Sequence, residues 1–242
     1  MALPKIDVPT YEIELPVSKK KIKYRPFLVK EQRNLLMAVE SDDANSIQTA
    51  VQDILNNCTL TEGIDVNKLP IVDIEYYFIN LRAKSVGEVI ESKYRCNNEV
   101  EGVECGNVME TEINLLNVQV TQEGEDVSPE IQLTDNITIK LKYPEFHVVK
   151  DSLKYDNIND VTFNMIANSI EYIYDGQQFH YDYEAQPGEM LDWVGQLNQE
   201  QFAKIEKFFS NLPKLKETIQ MDCKKCGFHH EINVEGLESF FV

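Results

Sequence analysis

Four of the five cysteines in this 242-residue chain fall into two clusters. Cys96 is followed by Cys105-Gly106, and Cys223-Lys224-Lys225-Cys226-Gly227 comes about 120 residues later. A Cys-x2-Cys-Gly turn points two sulfurs and several backbone N–H groups at one position, and its Gly permits the positive φ that the turn needs. Four thiolates from two such knuckles suit one tetrahedral Zn2+ with no open coordination position, a structural arrangement. Cys96, Cys105, Cys223 and Cys226 are therefore the expected ligands of a structural zinc. The second knuckle is compact. The first has eight residues between its cysteines, so only the ends of that hairpin need to meet the metal.

Other readings of the thiols are weaker. His229 and His230 follow Cys226 and are substitute ligands, but with four cysteines present they read as strand residues. Cys58 shares a helical face with Ile47, Val51, Ile54 and Leu55, which makes it a small buried hydrophobe. A redox Cys-x2-Cys is favoured at the start of a helix, whereas this pair lies between strands.

Each cluster sits between two strand-like runs and leads into a Glu-Ile-Asn segment, Glu112–Asn114 and Glu231–Asn233. The first is entered by a strand over Glu88–Arg95 and left by Val108–Leu115; the second is flanked by Leu215–Met221 and Phe228–Val234. Upstream, Tyr11–Leu15 and Lys21–Tyr24 alternate polar and apolar residues around a turn, which predicts a β-hairpin. Helices are predicted over Val29–Val39, with Leu35, Leu36 and Val39 on one side, then after an Asp42 or Asp43 cap, and over Asp73–Lys84. Gly63–Pro70 reads as a loop. In the second half Val161–Tyr174 carries a helical period through Phe163, Ile166, Ile170 and Ile173. Gln177–Tyr183 reads as a short strand, and Met190–Leu197 as a helix. Asn198 with Gln201 forms a capping box for another, which Pro213 ends.

The expected fold class is α+β: helices packed with short antiparallel strands, in two related halves joined at a four-cysteine, zinc-ribbon-like β element. The N-terminal half spans residues 1–120 and the C-terminal half 131–242. Between them, 121–130 is an acidic linker containing Gly and Pro. A weak internal repeat supports the halves, since Lys21-Ile-Lys-Tyr24-Arg-Pro-Phe27 is echoed by Ile137-Thr-Ile-Lys-Leu-Lys-Tyr143-Pro-Glu-Phe146.

The formal charge is −18, from 41 acidic and 23 basic residues, which opposes non-specific binding to nucleic acid or anionic lipid. Neither Cys96–Ile139 nor Tyr155–Ala203 contains a Lys or Arg. The counter-pole is the hairpin with Lys19, Lys20, Lys21, Lys23 and Arg25. This basic hairpin and the aromatic end at Phe240 and Phe241 are candidate partner-binding surfaces. No run approaches a membrane span and no apolar leader is visible, so a reducing cytoplasm is expected, where cysteines favour metal over disulfides. Walker, dinucleotide-binding, His-Glu-x-x-His and Gly-x-Ser-x-Gly motifs are absent. His147 and His180 stand alone, and the chain is not expected to be an enzyme.

Several stretches resemble the baseplate hub proteins of T4-type phages, a family of hub subunits and hub assembly proteins. They are Ala2-Leu-Pro-Lys-Ile-Asp-Val-Pro-Thr-Tyr11, Ile22-Lys-Tyr-Arg-Pro-Phe-Leu-Val-Lys-Glu31, Leu69-Pro-Ile-Val-Asp-Ile-Glu-Tyr76 and Leu81-Arg-Ala-Lys-Ser-Val-Gly-Glu88. The likeness covers roughly Ala2–Leu116; beyond it, only the layout and the closing Cys-x2-Cys strand pair are shared. The long first knuckle departs from the compact form. The resemblance implies a late, non-enzymatic virion-assembly protein. It would act as hub component or assembly chaperone in the infected bacterial cytoplasm, with other hub and tail proteins as partners and the virion baseplate as a possible destination. The alternatives are a zinc-ribbon nucleic-acid-binding regulator and a thiol oxidoreductase.

Overall fold

In the computed structural model, residues 6–122 and 127–236 are described, so Phe240 and Phe241 and part of the 121–130 segment lie outside the described residues. The fold mixes α-helices with antiparallel strands. β1 (Tyr11–Glu14) and β2 (Lys21–Tyr24) form the predicted hairpin, with Tyr11 opposite Tyr24 and Glu14 opposite Lys21. Its alternation works as read: Ile22 and Tyr24 are buried while Lys21 and Lys23 are exposed. Three helices follow, α1 (Val29–Glu40), α2 (Ala44–Cys58) and α3 (Ile71–Ser85), with a single 3-10 turn at Val66–Lys68 inside the predicted loop. Asp43 caps α2 by accepting from the Ser46 N–H at 2.9 Å, a contact worth about 1 kcal/mol.

α1 buries Leu35 but leaves Leu36 half exposed, against the expectation that both face inward. Successive helix positions point about 100° apart, and Ala38 and Val39 complete the inward face with Leu35. The helix start is held by Glu31, whose carboxylate accepts from the Leu28 N–H at 2.6 Å and from Arg25 at 2.7 and 3.1 Å. The Arg25 guanidinium holds this buried carboxyl below its ordinary value. A depressed carboxyl stabilises the fold fully above its unfolded pKa of about 4.3, and that contribution is lost as pH falls through the lower folded value. The difference in urea midpoint between wild type and Glu31→Gln should accordingly be constant near neutrality and shrink on acidification below about pH 4.

α3 is buried almost all round. Ile74, Tyr77, Phe78 and Leu81 enter the first apolar cluster with the hairpin and α2, and Ile79 and Ala83 enter another. That other cluster contains the long strands β3 (Val89–Arg95) and β6 (Val108–Asn114), which pair through seven residues, Val89 opposite Asn114. Between them the loop carries a small hairpin, β4 (Glu99–Val100) with β5 (Val103–Glu104).

β7 (Gln119–Thr121) leads on to β8 (Glu130–Gln132), β9 (Thr138–Leu141), α4 (Phe146–Ser152), α5 (Ile158–Asn168), β10 (Ile170–Tyr174) and β11 (Phe179–Tyr181). A four-stranded sheet has the order β11-β10-β9-β8. The helix predicted to run to Tyr174 therefore stops at Asn168. Fully buried Ser169 caps it, its hydroxyl donating to the Met165 carbonyl and its N–H to that of Ile166. Ile166, Ile170 and Ile173 share one core, which is why a single apolar period runs across both elements.

α6 (Glu189–Val194) and α7 (Gln199–Ser210) cover this sheet, and the Asn198–Gln201 capping box closes with two contacts of 2.9 Å. β12 (Lys214–Asp222) and β13 (His229–Glu235) form the second long hairpin, and β7 pairs with β12. The repeat-like segments both run from strand into helix. Phe27 and Phe146 are buried in the same first cluster, though they lie on opposite sides of residues 121–130.

Candidate metal centre

The two long hairpins end side by side. β3 delivers Cys96 and the return to β6 delivers Cys105; the β12–β13 turn carries Cys223 and Cys226. Their four sulfurs all lie within 4.8 Å of one another. Cys96 Sγ stands 3.6 Å from Cys226 Sγ and Cys105 Sγ 3.8 Å from Cys223 Sγ, joining positions 130 and 118 residues apart. Sulfurs about 2.3 Å from a tetrahedral centre stand about 3.8 Å apart, so the spacing fits a four-thiolate zinc site.

Both turns are built as knuckles. The Gly227 N–H donates to the Cys223 carbonyl at 2.7 Å and the Gly106 N–H to that of Cys96 at 3.0 Å. The two glycines have φ of 72° and 61°, a region that side-chain-bearing residues rarely enter. The eight-residue interval of the first knuckle is taken up by β4–β5. It leaves the cysteine ends in register, with the Cys96 N–H donating to the Asn107 carbonyl and the Cys105 N–H to that of Asn98, both at 2.8 Å.

The electrostatics favour negative sulfur at the second knuckle. Backbone N–H groups of Cys226 and Lys225 pull the Cys223 thiol down to about 6, and the Phe228 N–H lowers Cys226. Burial pushes Cys96 up to about 12. Tyr94, Met109 and Met221 pack against the sulfurs and keep one side of the cluster apolar.

A ring of side-chain donors was not foreseen from sequence. Asn98 Nδ2 donates to Cys226 Sγ at 3.6 Å and Asn107 Nδ2 to Cys223 Sγ at 3.5 Å, while Lys225 Nζ donates to the Cys105 carbonyl at 2.7 Å. Each of these residues lies two places after a cysteine, and each bond crosses from one hairpin to the other. That spacing was the available signal. His230 is in β13 as expected, but it is buried with Nε2 3.2 Å from Cys96 Sγ. It lies against the cluster as a neighbour of the thiols, with Phe228 edge-on to its ring.

The remaining candidates are elsewhere. Cys58 is buried in the first core, where desolvation raises its thiol to about 11. His147 contacts the Asn67 carbonyl and Glu145, His180 meets Asp175 at 2.9 Å, and His229 meets Asp222 at 2.8 Å. Lys19, Lys20, Lys21 and Lys23 are exposed along one hairpin, Lys21 lying 3.6 Å from Glu14. Arg25 is turned inward onto Glu31 and the Pro26 carbonyl.

A family model described as "T4 bacteriophage base plate protein" matches residues 8–242. The chain belongs to that family. No curated protein and no solved structure matches it. The match to this phage baseplate family runs from ahead of β1 to beyond β13, so both cysteine clusters and the basic hairpin fall inside it. Among the described residues of this baseplate protein, no helix is long and apolar enough to cross a membrane.

Proposed function

We propose that this baseplate protein is non-enzymatic and acts in assembly of the tail hub through protein–protein contacts, as hub component or assembly chaperone. The family match over residues 8–242 carries the reading. Its setting is the host bacterial cytoplasm during virion assembly, and the virion tail baseplate if it remains with its product. Other hub and tail proteins are its partners. The polarised charge supports this, because an acidic body with one exposed lysine hairpin suits charge-complementary docking, which governs orientation and encounter rate.

Cys96, Cys105, Cys223 and Cys226 hold one structural zinc in this reading, and their spacing and converging donors support it. The metal clasps residues 1–120 to 131–242 as a zinc-ribbon-like β element, with 121–130 as the connection. The pairing of β7 with β12 and the burial of Phe146 in the first cluster support the two parts interlocking.

Co-expression with the other tail-hub proteins of the same phage, followed by purification through a tag on this chain, tests the role. Stoichiometric recovery of at least one hub protein is expected. Recovery of none, whether alone or together, overturns the hub role.

A further inference from the structure

The corner between β11 and α6 is a cleft with an unusual combination of walls. A cavity of about 330 Å³ has Ile173, Met190 and Trp193 in its apolar lining and Asp175, Glu184 and Glu189 among its acidic groups. A second cavity, of about 560 Å³, shares Ala185 and Met190 with the first and continues past Asp182 and Tyr183. From the edge strand β11 into the following turn runs a ladder of rings. Phe179 and Tyr181 stack at 6.1 Å and Tyr181 and Tyr183 at 5.2 Å, and Phe179 and Tyr183 are 49% and 76% exposed.

His180 also lines the first cavity and stands 2.9 Å from Asp175, so that acid has its partner. Residues 155–203 contain nine Asp or Glu and no Lys or Arg. Lys140 and Lys142 from β9 and its exit reach Glu171 and Asp182. Glu184 is held by the Tyr181 N–H and Glu189 by the Gln186 N–H at 2.9 Å, and neither has a cationic partner among the described residues. Both carboxylates are thus oriented at the mouth of an apolar hollow, beside exposed aromatic faces.

That set of groups matches the parts of an Arg or Lys side chain. The methylene stem is suited to Met190 and Trp193, the charged head to Glu184 and Glu189, and a neighbouring cation to the faces of Tyr181 and Tyr183. Among the described residues β11 is an edge strand, and its outer side offers backbone groups to an extended chain. We propose that this cleft binds an extended, basic segment of a partner protein, anchored by an Arg or Lys in the Trp193 hollow. The inference rests on the protein–protein assembly reading for its biological setting. It adds the chemistry of one partner and the place where that partner docks.

Trp193 is the chain's only tryptophan, so its fluorescence reports on this cleft alone. The probe is an acetylated nonapeptide of alternating Arg and Gly, titrated into the full chain beside the same peptide with citrulline for arginine. A saturable change in Trp193 emission is expected with the arginine peptide, weakening with added salt and absent with citrulline. Glu184→Gln/Glu189→Gln, two exposed substitutions, should raise the dissociation constant about fivefold, whereas Glu12→Gln/Glu14→Gln on β1 should leave it unchanged. Equal binding of the citrulline peptide, or an unchanged constant in the Glu184/Glu189 variant, overturns the proposal. So does an emission change produced by N-acetylglucosamine oligomers and not by the arginine peptide, which makes the cleft a glycan site. Self-association that is lost in Lys19→Glu/Lys20→Glu also overturns it, in favour of a second copy. Peptide binding without recovery of any hub protein would sink the hub role and leave the cleft assignment standing.

Discussion

The wild-type chain is expected to purify with one zinc per molecule, and Cys223→Ser/Cys226→Ser to purify without it and to melt roughly 10 °C lower. The size follows from linkage. A metal that binds only the folded chain, at a free concentration a thousandfold above its dissociation constant, contributes about 4 kcal/mol, and a chain of this length shifts by about 2–4 °C per kcal/mol. The effect should be large because the site closes a contact between cysteines 118 and 130 positions apart, where no other covalent link exists among the described residues. Elemental analysis and a thermal melt with and without chelator check it. Chelation should reproduce the variant's melting temperature in the wild type and leave the variant unmoved. Unchanged metal content in the double variant refutes the ligand assignment. Four reduced thiols with no metal, and a melt indifferent to chelator, would return the cluster to a packing role. Cys58→Ser is the useful comparison, since that thiol is buried in the first core away from the cluster and its loss should not alter zinc content.

The convergence of the four cysteines was legible because knuckle chemistry is local. A Cys-x2-Cys-Gly turn or a Cys-Gly hairpin end is specified by a few neighbouring residues, and two apolar-alternating strands on either side say where it sits. The hairpin β1–β2, the Asp43 cap and the Asn198 capping box were readable for the same reason. What could not be read was pairing at a distance. Asn98, Asn107 and Lys225 look like polar loop residues until the other hairpin is placed against them. Ser169 ends α5 only because the following Ile170–Tyr174 finds β9 and β11 as neighbours; from its own period the segment continues as helix. Phe146 follows a motif of the second half and is buried in the first cluster, which no local pattern records. The acidic stretch at 155–203 was visible as composition. That its carboxylates border an apolar hollow needed the positions of Ile173 and Trp193.

One buried residue ties the exposed lysine hairpin to the centre of the fold. Asp73, in the first turn of α3, is fully buried, and its two carboxylate oxygens accept from the N–H groups of Val17 and Ser18 at 2.8 Å each. An acidic residue suits the positive end of the helix, and here it also supplies the partners that the β1–β2 turn cannot provide for itself. The turn is under some demand already, since Lys19 adopts a positive φ of 57° and the Ser18 hydroxyl is buried without a partner. Asp73→Ala removes both acceptors and strands two N–H groups, each costing about 1–2 kcal/mol. The expected loss is therefore roughly 3 kcal/mol, measured by urea unfolding. Asp73→Asn, which keeps one oxygen, should fall between the two. Amide exchange should accelerate at Val17 and Ser18 well before the α2 core is affected, because the loss is local to the turn. If the lysines at 19–21 are a docking surface, Asp73→Ala should also weaken recovery of hub proteins while every lysine remains in place. Equal stability and unchanged exchange at Val17 and Ser18 would mean that the hairpin is held by Leu15, Ile22 and Tyr24 alone, and that Asp73 contributes nothing to its position.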